Sequence, residues 1–266
     1  MSKIFEALQK AEEDREFAVA GGAQEENAYA DPLMDLSQQL VVLGRPGSEA
    51  AEQFRLLRSE ITRPREGVAP RTVMITSSIQ GEGKTFIACN LAVTVAQGLD
   101  EYVLLVDADL RNPNVHRAFG LGPCQEGLAT YLEQEKPLSG LLRKTVIPKL
   151  TVLPAGQDVE NPAELLSSRI MRDFIAEVRD RYPDRLIILD SSPVEPAPET
   201  LVLANEVDAV YLVLKRGITS RHVASSTMER FQEGKLRGIV FNGEQSGRRS
   251  SYDKYGYGYR IGGASG

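Results

Sequence analysis

The chain has 266 residues, 42% of them hydrophobic, and a formal net charge of −6. That length and composition suit one ordinary α/β domain with extra sequence at its ends, and a buried core. Residues 1–44 carry nine acids (Glu6, Glu12, Glu13, Asp14, Glu16, Glu25, Glu26, Asp31, Asp35) against Lys3, Lys10 and Arg15, so they hold the whole deficit and 45–266 balance to zero. No broad basic face for nucleic acid is expected, and no apolar run is long enough to span a bilayer. Met1-Ser2-Lys3 leads into an amphipathic stretch rather than a secretory one, and Cys89 and Cys124 lack metal-type spacing. They read as reduced cysteines of a cytosolic protein.

From the N-terminus, residues 2–17 place Ile4, Phe5, Leu8 and Ala11 on one helix face, which predicts an amphipathic helix over 1–17. It packs on the domain or docks a partner. Residues 18–38 are rich in Ala, Gly, Gln, Asn and acids and read as a linker. Glu52, Arg55 and Arg58 then form a charged stripe on a helix near 49–61, either a solvated face or a contact surface. Five short apolar runs follow, Val73–Thr76, Val103–Asp107, Leu186–Asp190, Val210–Leu214 and Gly238–Asn242. Uninterrupted apolar runs suit parallel strands buried on both faces. Helical patterns lie between them near 85–97, 162–181 and 219–232. The sum is a βαβ series: an α/β three-layer sandwich with a central, mostly parallel sheet over 39–242. Tyr102, Tyr131 and Tyr211 read as core residues, and His116 and His222 carry no assigned chemistry. Beyond Gly243 the chain is a Gly-, Ser-, Arg- and Tyr-rich tail that cannot bury a core.

Ser78-Ile79-Gln80-Gly81-Glu82-Gly83-Lys84-Thr85 sits between a strand and a helix, as a phosphate cradle requires. Gly81 and Gly83 let successive N–H groups converge on phosphate oxygens, and the helix that follows presents its positive end. Lys84 would reach the β- and γ-phosphates, and the Thr85 hydroxyl would ligate Mg²⁺. Ser78 stands where the strict pattern has glycine. Asp107, Asp109 and Asp190 end strands at the carboxyl edge of the sheet, where ligands bind in such folds. Together they are suited to holding Mg²⁺ and orienting a nucleophile. Asn242 and Arg216 are candidates for adenine contacts.

With Ser77 to Thr85, Asp107-x-Asp109-x-Arg111, Leu153-Pro154-Ala155-Gly156, Asn161-Pro162-Ala163-Glu164-Leu165-Leu166, Asp190-Ser-Ser-Pro193, Glu52-x-x-Arg55-x-x-Arg58 and a terminal Tyr252-Asp253-Lys254-Tyr255-Gly256-Tyr257-Gly258-Tyr259, the chain resembles the bacterial tyrosine kinases of capsule and exopolysaccharide synthesis. The resemblance runs from about Arg45 to the C-terminus and implies a P-loop NTPase fold. It implies ATP as phosphoryl donor and Tyr252, Tyr255, Tyr257 and Tyr259 as acceptors, attacked in trans between subunits. Ser78, Gly81, Glu82, Gly83, Lys84 and Thr85 would hold the nucleotide. Lys84, Asp107, Asp109 and Asp190 would be catalytic, with Thr85, Asp109 and Asp190 around Mg²⁺ and Asp107 at the tyrosine hydroxyl. It further implies a ring of copies meeting through Glu52, Arg55 and Arg58. A membrane-spanning chain-length regulator and a protein-tyrosine phosphatase are the implied partners, placing a cytoplasmic protein at the inner face of the membrane. Gln80 and Ser192 stand where the family pattern has proline. Two other readings remain open. One is a non-kinase ATPase switch of the septum-site and partitioning type, which carries a lysine where this chain has Ile79. The other is a nucleotide-binding scaffold whose tyrosines another kinase modifies.

Overall fold

The computed structural model describes residues 39–133 and 136–243. The expected N-terminal helix, the linker and the tail tyrosines lie outside the described residues. Seven strands form one sheet: β1 (Thr72–Ser77), β2 (Tyr102–Ala108), β3 (Arg143–Lys144), β4 (Leu150–Leu153), β5 (Arg185–Ser191), β6 (Ala209–Lys215) and β7 (Leu236–Asn242). Their order is β3-β4-β2-β5-β1-β6-β7. Every pair is parallel except β3 with β4. Among the described residues, five helices of eight residues or more pack beside the sheet: α1 (Glu49–Thr62), α2 (Lys84–Ala96), α3 (Arg169–Arg181), α4 (Glu199–Glu206) and α5 (Arg221–Glu229).

Alternation along each buried strand sends side chains to opposite faces. Val73, Ile75, Val103, Leu105, Ile188 and Val213 meet α1 and α2 on one side. Met74, Leu104, Val106, Ile187 and Leu189 meet α3, α4 and α5 on the other. The expected three-layer sandwich is therefore the observed fold. Eleven of the thirteen residues of α2 are buried, because α2 lies between the sheet and α1. A helix with so little polar surface is stable only under such cover. Within it, Asn90 satisfies its amide by donating to the Gln39 and Phe86 carbonyls and accepting from Val42 N–H, which fastens residues 39–42 to the domain.

Two expectations change, and the strand β4 is added. The pattern over 162–181 is two helices, because the Ser168 hydroxyl accepts from Met171 N–H and starts α3 afresh after a short helix Pro162–Ser167. β4 is a real strand paired with β2, although at four residues its alternation is too short to read. Tyr102 is 39% exposed at the head of β2 rather than buried, with the Arg185 guanidinium 5.8 Å from its ring centre.

Candidate active site

The start of α2 differs from those of α1, α3 and α5. Serine hydroxyls cap α1, α3 and α5 through Ser48, Ser168 and Ser220. At the N-cap of α2 stands Gly83, with φ of +94° and no side chain to offer. The first N–H groups of α2 thus keep no side-chain cap, as an anion site requires. Gly81 also lies in the left-handed region, at φ +87°. A Cβ on Gly83 would fall 2.2 Å from Asn242 Nδ2, so glycine is demanded there twice over.

The loop is held from behind by Glu82. Its side chain is fully buried, accepting from Ile79 N–H at 2.7 Å, from Lys215 N–H at 3.3 Å and from the Thr219 hydroxyl. Its carboxylate is a brace joining the loop to the turn after β6, which leaves the Glu82 backbone N–H as its part in the cradle. Asn242 likewise reaches the loop, its amide donating to the Glu82 carbonyl at 2.8 Å. Lys215 and Thr219 carry no local signal; only the adjacency of β1 and β6 brings them here.

Asp107 and Asp190 are in register on β2 and β5, and both are wholly buried. Asp107 accepts from Asp109 N–H at 3.3 Å, Asn114 N–H at 3.1 Å and Val115 N–H at 3.0 Å. Burial and the Asp190 charge push its carboxyl well above the usual range, against the pull of those N–H groups. Asp190 has both oxygens buried with no hydrogen-bond partner. Burial raises it to about 7, with Lys84 and the Thr85 hydroxyl pulling the other way. Thr85 is close enough to be felt but completes no hydrogen bond. Lys84 Nζ lies 2.7 Å from Asp109 Oδ2. Burial lowers that ammonium, but Asp190, Asp109 and Asp107 outweigh it and hold it above the ordinary lysine range. Ser192, standing where the family pattern has proline, donates its hydroxyl to Asp109 Oδ1 at 2.7 Å. The structure thus brings Lys84, Asp107, Asp109 and Asp190 together.

The other singled-out residues lie elsewhere. Arg111 turns from the carboxylates to Glu199, 2.7 Å away. Arg55 pairs with Glu52 along α1 and donates to the Pro46 carbonyl at 2.6 Å, while Arg58 donates to Thr94 O on α2 at 3.2 Å.

Two orphaned, buried oxygens on Asp190 are what a hard cation would satisfy. No three acidic, His or Cys groups among the described residues cluster to hold a metal alone. Mg²⁺ keeps several waters and takes one or two carboxylates plus substrate phosphates, a demand that Asp190 and Asp109 can meet. The residues present fit the ion.

Residues 71–211 match the family described as an AAA domain. The chain is similar to the tyrosine-protein kinase YwqD of Bacillus subtilis (strain 168), 34% identical over 223 residues that cover 83% of this chain and 92% of that protein. It is similar as well to the putative tyrosine-protein kinase EpsB of Ralstonia nicotianae, 30% identical over 88% of this chain but only 31% of that longer protein. Among solved structures, the kinase domain of Escherichia coli tyrosine kinase ETK superposes with a TM-score of 0.72 at 28% identity, covering 83% of this chain and 84% of that one. With a phosphate loop, three strand-end carboxylates and these relatives, the chain belongs to the bacterial tyrosine-protein kinases.

Proposed function

We propose that the chain transfers the γ-phosphoryl group of ATP to Tyr252, Tyr255, Tyr257 and Tyr259 of a neighbouring copy. The observation that carries this is Asp190: a fully buried carboxylate without a donor, in register with Asp107 and next to the Lys84–Asp109 pair. A cluster of like charges in the interior is costly unless a cation-bearing ligand completes it. Thr85, Asp109 and Asp190 would hold Mg²⁺, which would neutralise phosphate charge when bound. Lys84 exchanges Asp109 for the β- and γ-phosphates as nucleotide arrives. Asp107, held in place by three N–H groups, orients the tyrosine hydroxyl. A phenol with pKa near ~10 arrives neutral, and a loose phosphoryl-transfer state needs little early deprotonation.

Around this core, residues 39–242 form the kinase domain, 1–17 a docking helix, 18–38 a linker and 243–266 the acceptor tail. Copies assemble into a ring through Glu52, Arg55 and Arg58. Arg248, Arg249, Lys254 and Arg260 against Glu244 and Asp253 leave the tail at +2, matched to an acidic site. Each phosphate adds about −1.5 to −2 charge, so modification reverses that attraction and releases the tail. Among the described residues no helix is long and apolar enough to cross a membrane. Recruitment to the inner face of the membrane is therefore assigned to a membrane-spanning regulator of exopolysaccharide export, and reversal to a protein-tyrosine phosphatase.

Incubation with γ-labelled ATP and Mg²⁺ tests the reading. Phosphotyrosine is expected on the wild type and not on Lys84→Met. ATP hydrolysis without phosphotyrosine would support the ATPase-switch reading instead. Phosphotyrosine that appears only when another kinase is supplied would make the chain a scaffold.

A further inference from the structure

The two edges of the sheet are protected unequally. β3, at one end, is two residues long and both are basic, which blunts an open edge. β7, at the other, is seven residues long, and among the described residues no strand pairs with its outer side. Alternate N–H and C=O groups along it therefore point away from β6 with no ladder to receive them. Its side chains are no better guarded. Ile239 and Phe241 stand in register with Leu212 and Leu214 of β6, which puts them on the side of the sheet that α3, α4 and α5 cover. Leu212 and Leu214 are buried there, whereas Ile239 is 39% and Phe241 69% exposed. A long edge strand with apolar side chains in water is a template for one more strand.

We propose that the tail of the same chain fills that place, residues 253–261 pairing antiparallel with the outer side of β7. Tyr255, Tyr257, Tyr259 and Ile261 recur at every second residue, the period that sets side chains on one face of a strand. Gly256 and Gly258 leave the opposite face bare between them. In one of the two registers the aromatic face covers Ile239 and Phe241, and aromatic rings opposite β-branched or aromatic side chains are favoured cross-strand pairs. Glycine weakens a lone strand, but an aromatic neighbour across the ladder shields it. The chain is also delivered to the right place. β7 closes at Asn242, and Gly243 follows with φ of +76°, which turns the backbone out of the strand. Residues 244–252, with Ser246, Gly247, Ser250 and Ser251 among them, supply the return. Pairing within one chain benefits from a high effective concentration, whereas a second copy's tail would make the same pairs without the tether. Tyrosine suits such a seat because its ring covers apolar surface while its hydroxyl stays in water. Tyrosines paired along β7 are held at the sheet edge, away from the carboxylates that end β2 and β5. The seat thus withholds the acceptors until it opens; that consequence rests on the kinase reading above, and the pairing itself does not.

Hydrogen–deuterium exchange of the full chain, dephosphorylated and without nucleotide, tests the pairing by mass spectrometry. Amides within 254–260 are expected to exchange at least about tenfold more slowly than in a free synthetic peptide of residues 250–262, because a laddered amide exchanges only when the pair opens. Phe241→Thr keeps a strand-forming residue at an exposed site, and Gly256→Pro with Gly258→Pro removes tail N–H groups without touching the domain. Each change should bring the remaining tail amides to within about twofold of the peptide. In a Cys124→Ser background, Ile239→Cys is combined in turn with Tyr255→Cys, Tyr257→Cys and Tyr259→Cys and treated with a short bis-maleimide. Crosslinking within one chain is expected. Tail amides that exchange at the peptide's rate in the wild type, or protection untouched by Phe241→Thr, overturn the seat. Crosslinks found only between chains overturn the same-chain assignment and give β7 to a second copy's tail. None of these measurements uses phosphoryl transfer, so their failure leaves the kinase reading standing, and a failed phosphotyrosine assay leaves the pairing standing.

Discussion

Asp107 and Asp190 end adjacent strands in register and are equally hidden from solvent, yet they differ in every hydrogen bond. Three backbone N–H groups converge on Asp107, which ties the end of β2 to the turn at 114–115. Nothing donates to Asp190. Burial raises both carboxyls, so each costs stability when ionised; backbone donors offset part of that cost at Asp107, and no hydrogen-bond donor offsets it at Asp190. Side by side, the two divide the site into a part that is finished in the free protein and a part that a bound ion and phosphate complete.

The largest effect should follow from Asp190→Asn, with phosphotyrosine formation falling by about 10²–10³-fold as charge stabilisation at the phosphates is lost. Its stability should move the other way. The folded-state carboxyl sits near 7 against an ordinary value of 3.8, so the native state binds the proton more tightly than the unfolded one. Asp190 therefore removes stability as pH rises from about 4 to about 7. Urea denaturation of the nucleotide-free protein at pH 8 should show the Asn variant more stable by about 1–3 kcal/mol, with the gain gone near pH 4. A destabilised variant at pH 8 would mean that Asp190 is a joint after all. By the same proton linkage, nucleotide affinity with Mg²⁺ should strengthen between pH 6 and 8 in wild type, as titration calorimetry would register, and the Asn variant should lose that slope.

Asp107→Ala sharpens the contrast from its other side. Stranding three N–H groups should cost about 2–4 kcal/mol in the same denaturation experiment, along with activity. No stability change would erase the distinction. Gly83→Ala comes next: positive φ and the approach of Asn242 predict nucleotide affinity reduced about 10–100-fold. Adding Asn242→Ala should recover part of that loss, since it removes the clash but not the backbone strain. In energy the smallest change is Arg58→Ala, at about 0.5–1.5 kcal/mol for one hydrogen bond to Thr94 O. Combined with Arg55→Ala, it should nevertheless reduce the mass seen by light scattering to that of a monomer. An unchanged mass would leave the stripe a brace within one chain.

How much was readable beforehand followed the range of the interactions. β1, β2, β5 and β6 announce themselves because strands buried on both faces must be apolar throughout. β4 escaped at four residues, and the break at Ser168 escaped because one hydroxyl interrupts an otherwise continuous apolar period. In the site, spacing alone brings Gly81, Gly83, Lys84 and Thr85 to one turn. Glu82 looks like part of the same cradle, and only its inward rotation onto Thr219 and Lys215 shows that it supports the loop from behind.

By itself, then, the sequence determined five of the seven strands, the phosphate loop and the three strand-end carboxylates, since each follows from local pattern and from the rule that ligands meet α/β sheets at strand ends. Which of those carboxylates is satisfied and which waits was decided by tertiary structure. The pairing of β2 with β5 sets Asp107 and Asp190 opposite each other, and the turn at 114–115 supplies donors to one only. Hydrogen-bond partners dozens of residues away leave no periodicity to read, and burial makes their presence or absence matter.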